Sequence, residues 1–109
     1  MINNLFQTTK EISNLYPDRN ILLRLAKMQE ELGELAEPTL KLLGYKGTLS
    51  SPFELMDNQA EEAIDVLIVA LDLIHCLNIE EIEFEKILSK KLDKWKSAIQ
   101  KSILLNQNT

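Results

Sequence analysis

Two short stretches of this chain carry acids at a spacing that can do chemistry. In Met28-Gln29-Glu30-Glu31-Leu32-Gly33-Glu34, Glu31 and Glu34 stand three residues apart. In Ala60-Glu61-Glu62-Ala63-Ile64-Asp65, Glu62 and Asp65 repeat that spacing. Residues three apart on a helix share a face, so two such pairs on facing helices would gather four carboxylates. Like charges at that range repel, and the cluster calls for a cation. Carboxylate oxygens suit hard cations, and Mg²⁺ prefers octahedral oxygen coordination shared with water and phosphate. The chemistry implied is a magnesium site with open positions for a phosphorylated substrate.

Acid pairs at helical spacing are also common on solvent faces. Lys27, four residues before Glu31, would make that side an ordinary charged stripe. Two features weigh against the plainer reading. The segment bearing Glu62 and Asp65 continues as Val66-Leu67-Ile68-Val69-Ala70-Leu71, apolar on every side, as expected of a central helix. Asp65 and Asp72 lie roughly 20° apart around it at 100° per residue, and a carboxylate there needs a partner. Farther on, Phe84, Ile87, Leu88, Leu92, Trp95, Ala98, Ile99 and Ile103 form a regular apolar face, and Lys91 projects within it. A lysine on a core-facing stripe is costly unless an anion meets it; the acids and a substrate phosphate are the candidates, with snorkelling to solvent as the alternative.

The elements that must position these groups read as four helices. Apolar residues recur at three- and four-residue spacing, and the few glycines and prolines fall between the runs. The first helix spans roughly Ile2 to Leu15. The second spans about Arg19 to Leu43, with Asp18 as N-cap. The third opens on Ser51, Pro52 and Glu54, a cap, a first-turn proline and a capping-box acid, and runs to about Leu77. The fourth spans about Glu80 to Leu105. Pro38 falls inside the second helix, where it removes the bond to the Glu34 carbonyl; a kink and an early end with a restart are both compatible with it.

At 109 residues the chain reads as one all-α, four-helix-bundle-like domain, 1–109. Three helices of about 25 residues, near 37 Å each, are long for so small a core, and pairing with a second copy would cover the excess surface. The formal charge of −5 argues against non-specific nucleic-acid binding. Cys76 is the single cysteine, so no internal disulfide forms and a reducing, cytoplasmic setting fits. No signal peptide is evident at the start of the chain. Val66 to Leu77 is too short and too interrupted to span a bilayer, so no membrane partner is expected.

These residues together resemble a family. Glu30-Glu31-x-x-Glu34, followed after 27 residues by Glu62-x-x-Asp65, is similar to the EExxE…ExxD signature of all-α nucleoside triphosphate pyrophosphohydrolases of the MazG-like kind. Leu32-Gly33-Glu34-Leu35, the aliphatic run after Asp65, and Lys91-Leu92-x-Lys94 extend the resemblance over roughly Leu22 to Lys96. It implies a MazG-type fold that forms a homodimer or homotetramer. It implies hydrolysis of (d)NTP to (d)NMP and pyrophosphate with Mg²⁺, or Mn²⁺ as substitute, in nucleotide-pool housekeeping. By position, Glu31, Glu34, Glu62 and Asp65 would be metal ligands, and Lys91 and Lys94 would contact phosphates. Glu34 or Glu30 would activate the attacking water. Many relatives carry an arginine or asparagine shortly after the lysine of the last helix; Asp93-Lys94-Trp95-Lys96 has neither. Phosphate grip would then fall to Lys94, Lys96, the Lys46 loop or a neighbouring subunit.

Other residues read more plainly. His75 follows Asp72 by three, an acid–histidine spacing used in di-iron bundles, but such a site needs two copies and the chain has one histidine; His75 is expected as a helix-end residue. Trp95 is expected to pack in a core, and Cys76 to act as a small buried hydrophobe. Two further functions remain open: a non-catalytic helical interaction module of the same fold, and a phosphoribosyl-ATP pyrophosphohydrolase-like enzyme.

Overall fold

The computed structural model describes residues 4–107, and these form helices and connecting turns without a strand. The helices are α1 (Leu5–Asn14), α2 (Ile21–Leu42), α3 (Pro52–Cys76) and α4 (Glu81–Gln107). The expected start of the first helix at Ile2 lies outside the described residues. Contacts gather into two units, one ending at Asn78 and one beginning at Ile79. The first holds α1, α2 and α3; the second holds α4.

Local chemistry sets the ends. Ser51 accepts from the Glu54 backbone N–H at 3.2 Å, with Pro52 at the first helical position, as the sequence predicts. At α2 the cap is Asn20 rather than Asp18: the Asn20 side chain accepts from Leu22 N–H at 2.9 Å, while Asp18 accepts from Asn20 N–H at 2.9 Å. Asp18 therefore shapes the turn that leads in, and the next residue able to cap does so. After α2, Gly44 takes φ +80. This lets Gly44 N–H reach Lys41 O at 3.2 Å and Tyr45 N–H reach Leu40 O at 2.9 Å, closing the helix end on a left-handed residue that glycine adopts without strain.

Pro38 does not divide α2, which runs unbroken to Leu42. Packing on α3 holds it there. Thr39 donates to the Leu35 carbonyl at 3.0 Å and accepts from Gln59 of α3 at 2.9 Å, so the turn carrying the proline is fastened from outside.

Within the first unit α3 packs along both α1 and α2, the central position its apolar run predicts. The buried apolar residues are Phe6, Leu55, Leu71 and Cys76. A polar hub binds the three helices where α1 and α3 end. Ser13 Oγ donates to Asp72 Oδ1, and Arg24 Nε pairs with Asp72 Oδ2 at 3.1 Å. Arg19 donates to Ser13 O at 2.9 Å and to His75 O at 3.0 Å, carbonyls of the last turns of α1 and α3 that also accept from the Tyr16 and Asn78 N–H groups. Arg24 is nearly sealed from water and lies over the Tyr16 ring at 5.2 Å. None of the described helices is long and apolar enough to cross a membrane.

α4 is described by itself. It contains no buried residue. Trp95, expected in a core, is 65% exposed, and Ile87, Leu88, Leu92, Ile99 and Ile103 of the same stripe are exposed with it. The amphipathic pattern is present, but the apolar face is not covered.

His75 is at the helix end, as expected, and it is buried. Its ring lies edge-on to Phe6 at 4.8 Å, and its Nε2 is 2.7 Å from Thr9 Oγ1. Thr9 Oγ1 also lies 2.8 Å from the Leu5 carbonyl, so the hydroxyl links the imidazole to the first turn of α1. Burial, the largest influence, pushes the imidazole below its ordinary value of 6.5; Lys10 and Arg19 push the same way, and Asp72 opposes. The unfolded chain then binds the proton more readily than the folded one. Stability is full above pH 6.5 and is lost as pH falls below it. Denaturant melts between pH 7.5 and 5 are expected to show this decline, and His75→Gln to flatten it; an unchanged slope in the variant would assign the decline to other groups.

Candidate metal centre

The acids come together because α2 and α3 run antiparallel in one register. Arg24 meets Asp72 at one end of the seam and Thr39 meets Gln59 toward the other. Between these ties Glu31, Glu62 and Asp65 present carboxylate oxygens that all lie within 4.8 Å of one another. Glu34, one turn beyond Glu31, joins them electrostatically. The Glu31 carboxylate, foremost, pushes Glu34 above the ordinary carboxylate range; partial loss of water and the charges of Glu62 and Glu30 add to this.

The cluster is withdrawn from water on its α2 side at Glu31, while Asp65 and Glu34 remain exposed. Glu31 is only 7% exposed. One of its oxygens accepts from Lys27 at 3.1 Å; the other, Oε2, is buried without a hydrogen-bond partner. Glu62 Oε2 is buried and unpartnered as well. A carboxylate oxygen removed from water without a donor is costly, and two facing acids in that state more so. A cation held by this cluster would offset the charge of acids that lack a full set of donors. The donor set is all carboxylate oxygen, with no nitrogen or sulfur, which suits a hard divalent ion. The residues present fit magnesium.

Of the seven residues singled out from sequence, Glu31, Glu62 and Asp65 gather here, and the exposed Glu34 stands one turn away. Glu30 does not: it is exposed and faces Lys27 at 3.5 Å. Lys91 and Lys94 are exposed residues of α4, outside the unit that forms the cluster. Lys46, considered for the phosphate loop, is taken up by Glu37 at 2.7 Å. Lys27 is the cation that lies against the cluster, and its charged form is favoured chiefly by its hydrogen bond to Glu31.

Comparison with models of protein families, with curated proteins and with solved structures finds no match for this chain.

A built cation site stabilises the folded state on binding. Mg²⁺ is expected to raise the melting temperature, and Glu62→Gln to reduce the rise. The response should strengthen as pH is raised from 5 to 8, because ligand carboxylates must shed protons to bind and Glu34 is pushed above the ordinary carboxylate range by Glu31. A melting temperature indifferent to Mg²⁺ at every pH would remove the metal reading.

Proposed function

We propose that the chain is a Mg²⁺-dependent nucleoside triphosphate pyrophosphohydrolase with a MazG-type fold. The observation that carries this reading is the pair of buried, unpartnered oxygens of Glu31 and Glu62 within a cluster that also holds Asp65. The motif resemblance assigns these positions to metal binding, and their placement is independent of that resemblance. Glu31, Glu62, Asp65 and Glu34 would hold the ion. When bound, magnesium supplies positive charge to phosphate oxygens and to a departing pyrophosphate.

The remaining work falls to the chain. With Glu30 as the alternative the motif leaves open, the proposed proton acceptor is Glu34, which Glu31 pushes above the ordinary carboxylate range. It would take the proton of the water that attacks the α-phosphorus, while the bond to the bridging oxygen breaks and pyrophosphate departs. Lys27 offers an ammonium beside the acids; phosphate roles for Lys91 and Lys94 rest on the motif resemblance alone. A cytoplasmic setting with (d)NTP substrates fits a housekeeping role.

The test is a product assay. Purified protein with Mg²⁺ and a panel of NTPs and dNTPs is expected to yield monophosphate and pyrophosphate. Glu62→Gln and Asp65→Asn should lower turnover at least a hundredfold, in the range seen when a charged group that stabilises a transition state is lost. A folded protein that binds Mg²⁺ but turns over nothing would favour the interaction-module reading.

Self-association belongs to the same proposal. The stripe of α4 and several large side chains of the first unit, among them Leu22, Leu43 and Ile64, stand exposed, more apolar surface than a chain of this size carries alone. A second copy is the proposed cover. Sedimentation should give a dimer or tetramer of the 12.5 kDa chain, and Leu92→Glu with Trp95→Glu should shift it toward monomer. A monomer at all concentrations would overturn this.

A further inference from the structure

Lys27 stands between two acids of different character. Its Nζ is 3.1 Å from Glu31 Oε1 and 3.5 Å from Glu30 Oε2. The Glu31 side chain is 9% exposed and belongs to the cluster; the Glu30 side chain is 58% exposed and lies outside it. Lys27 itself is half exposed. α3 carries no lysine or arginine, and α2 carries Arg24, Lys27 and Lys41. Arg24 is committed to Asp72. Lys41 lies ten residues beyond Glu31, about 15 Å along the helix. From the two helices that build the cluster, Lys27 is therefore the counter-charge within reach.

We propose that Lys27 is an exchangeable counter-charge: it pairs with Glu31 until a divalent cation binds the cluster, and then passes to Glu30. The inference rests on the magnesium reading above and deepens it. Lys27 and Glu30 are positioning residues that act on the ion through Glu31. The adjacent acids of α2 then have divided duties. Glu31 serves the ion, and Glu30 receives the lysine that the ion displaces.

The exchange is cheap on the lysine's side. A lysine placed four residues before a glutamate is the weaker order for a helical ion pair, and water screens a half-exposed pair. The flexible four-carbon stem can turn toward Glu30 with the backbone of α2 fixed. It is favourable on the ion's side. A divalent cation and an ammonium compete for the charge of one carboxylate and repel each other. Glu31 Oε2 and Glu62 Oε2 are buried without a hydrogen-bond partner, so the lysine satisfies only part of what the cluster demands. By linkage, the factor by which Lys27 weakens the ion is the factor by which the ion weakens the hold on Lys27.

The experiment titrates the full chain with Mg²⁺ alone at low salt and reads affinity from the melting temperature. Lys27→Met should melt lower than wild type without Mg²⁺ and bind the ion about two- to fivefold tighter, the size of coupling found for exposed ion pairs. Lys27→Arg, which keeps the charge, should bind as wild type. A merely structural lysine would lower stability and ion affinity together. Glu30→Gln should weaken Mg²⁺, and most of that loss should vanish when Lys27 is also replaced by Met, because no ammonium is left to receive. In wild type, the Lys27 ammonium resonance should shift on adding Mg²⁺, while that of Lys46, held by Glu37 at 2.7 Å, stays in place. Lys27→Met with affinity no greater than wild type, a Glu30→Gln loss equal in both backgrounds, or an unmoved Lys27 resonance would each overturn the exchange while the Mg²⁺ response stands. A wild type indifferent to Mg²⁺ would overturn the reading beneath it.

Discussion

The register of α2 on α3 decides where every charged group of the first unit falls. It is an antiparallel seam fastened by Arg24 to Asp72 and by Thr39 to Gln59. With those ties made, the acids between them have no freedom to part. Glu31 is carried into the seam beside Glu62 and Asp65, and Glu34 is held where like charges surround it. A seam of this kind gains nothing from its middle in the absence of a cation. Its two ends and its aliphatic flanks offset the repulsion, and Lys27 softens it from the side.

The cost is affordable only because the register is locked from a third direction. Ser13 of α1 fixes Asp72, and Arg19, on the link between α1 and α2, grips carbonyls at the ends of α1 and α3. The apolar core beneath is small: Phe6, Leu55, Leu71 and Cys76 are the buried hydrophobic residues described. Polar ties therefore carry a larger share of geometric definition here than in a domain with a thick core.

Much of this was legible in the residues. Period and caps located all four helices, and Ser51-Pro52-Glu54 marked the start of α3 to the residue. The acid spacing pointed to the face on which Glu31, Glu62 and Asp65 come together. Arg24 was equally legible and passed over. If Glu31 faces Asp65 on antiparallel helices, stepping seven residues back along α2 and seven forward along α3 sets Arg24 against Asp72, which supplies the partner that Asp72 requires. The cap at Asn20 was not legible, because Asp18 and Asn20 are both good caps and local geometry chooses between them. The continuity of α2 through Pro38 depends on Gln59 of another helix, and no local rule contains that. Trp95 was misplaced because amphipathic spacing shows that a face is apolar and does not show what covers it.

α1 has ten residues, fewer than the roughly 12–15 at which a helix in water begins to persist unaided. It exists as a helix because α3 and the polar hub hold it. Leaving the surface and losing its coil are thus a single event with one free energy, drawn from the low end of the molecule's range of local openings. The face that α1 lends to the first unit is accordingly two-valued: it is either whole or gone. The shortest of the described helices is thus a part of the fold that opens by melting.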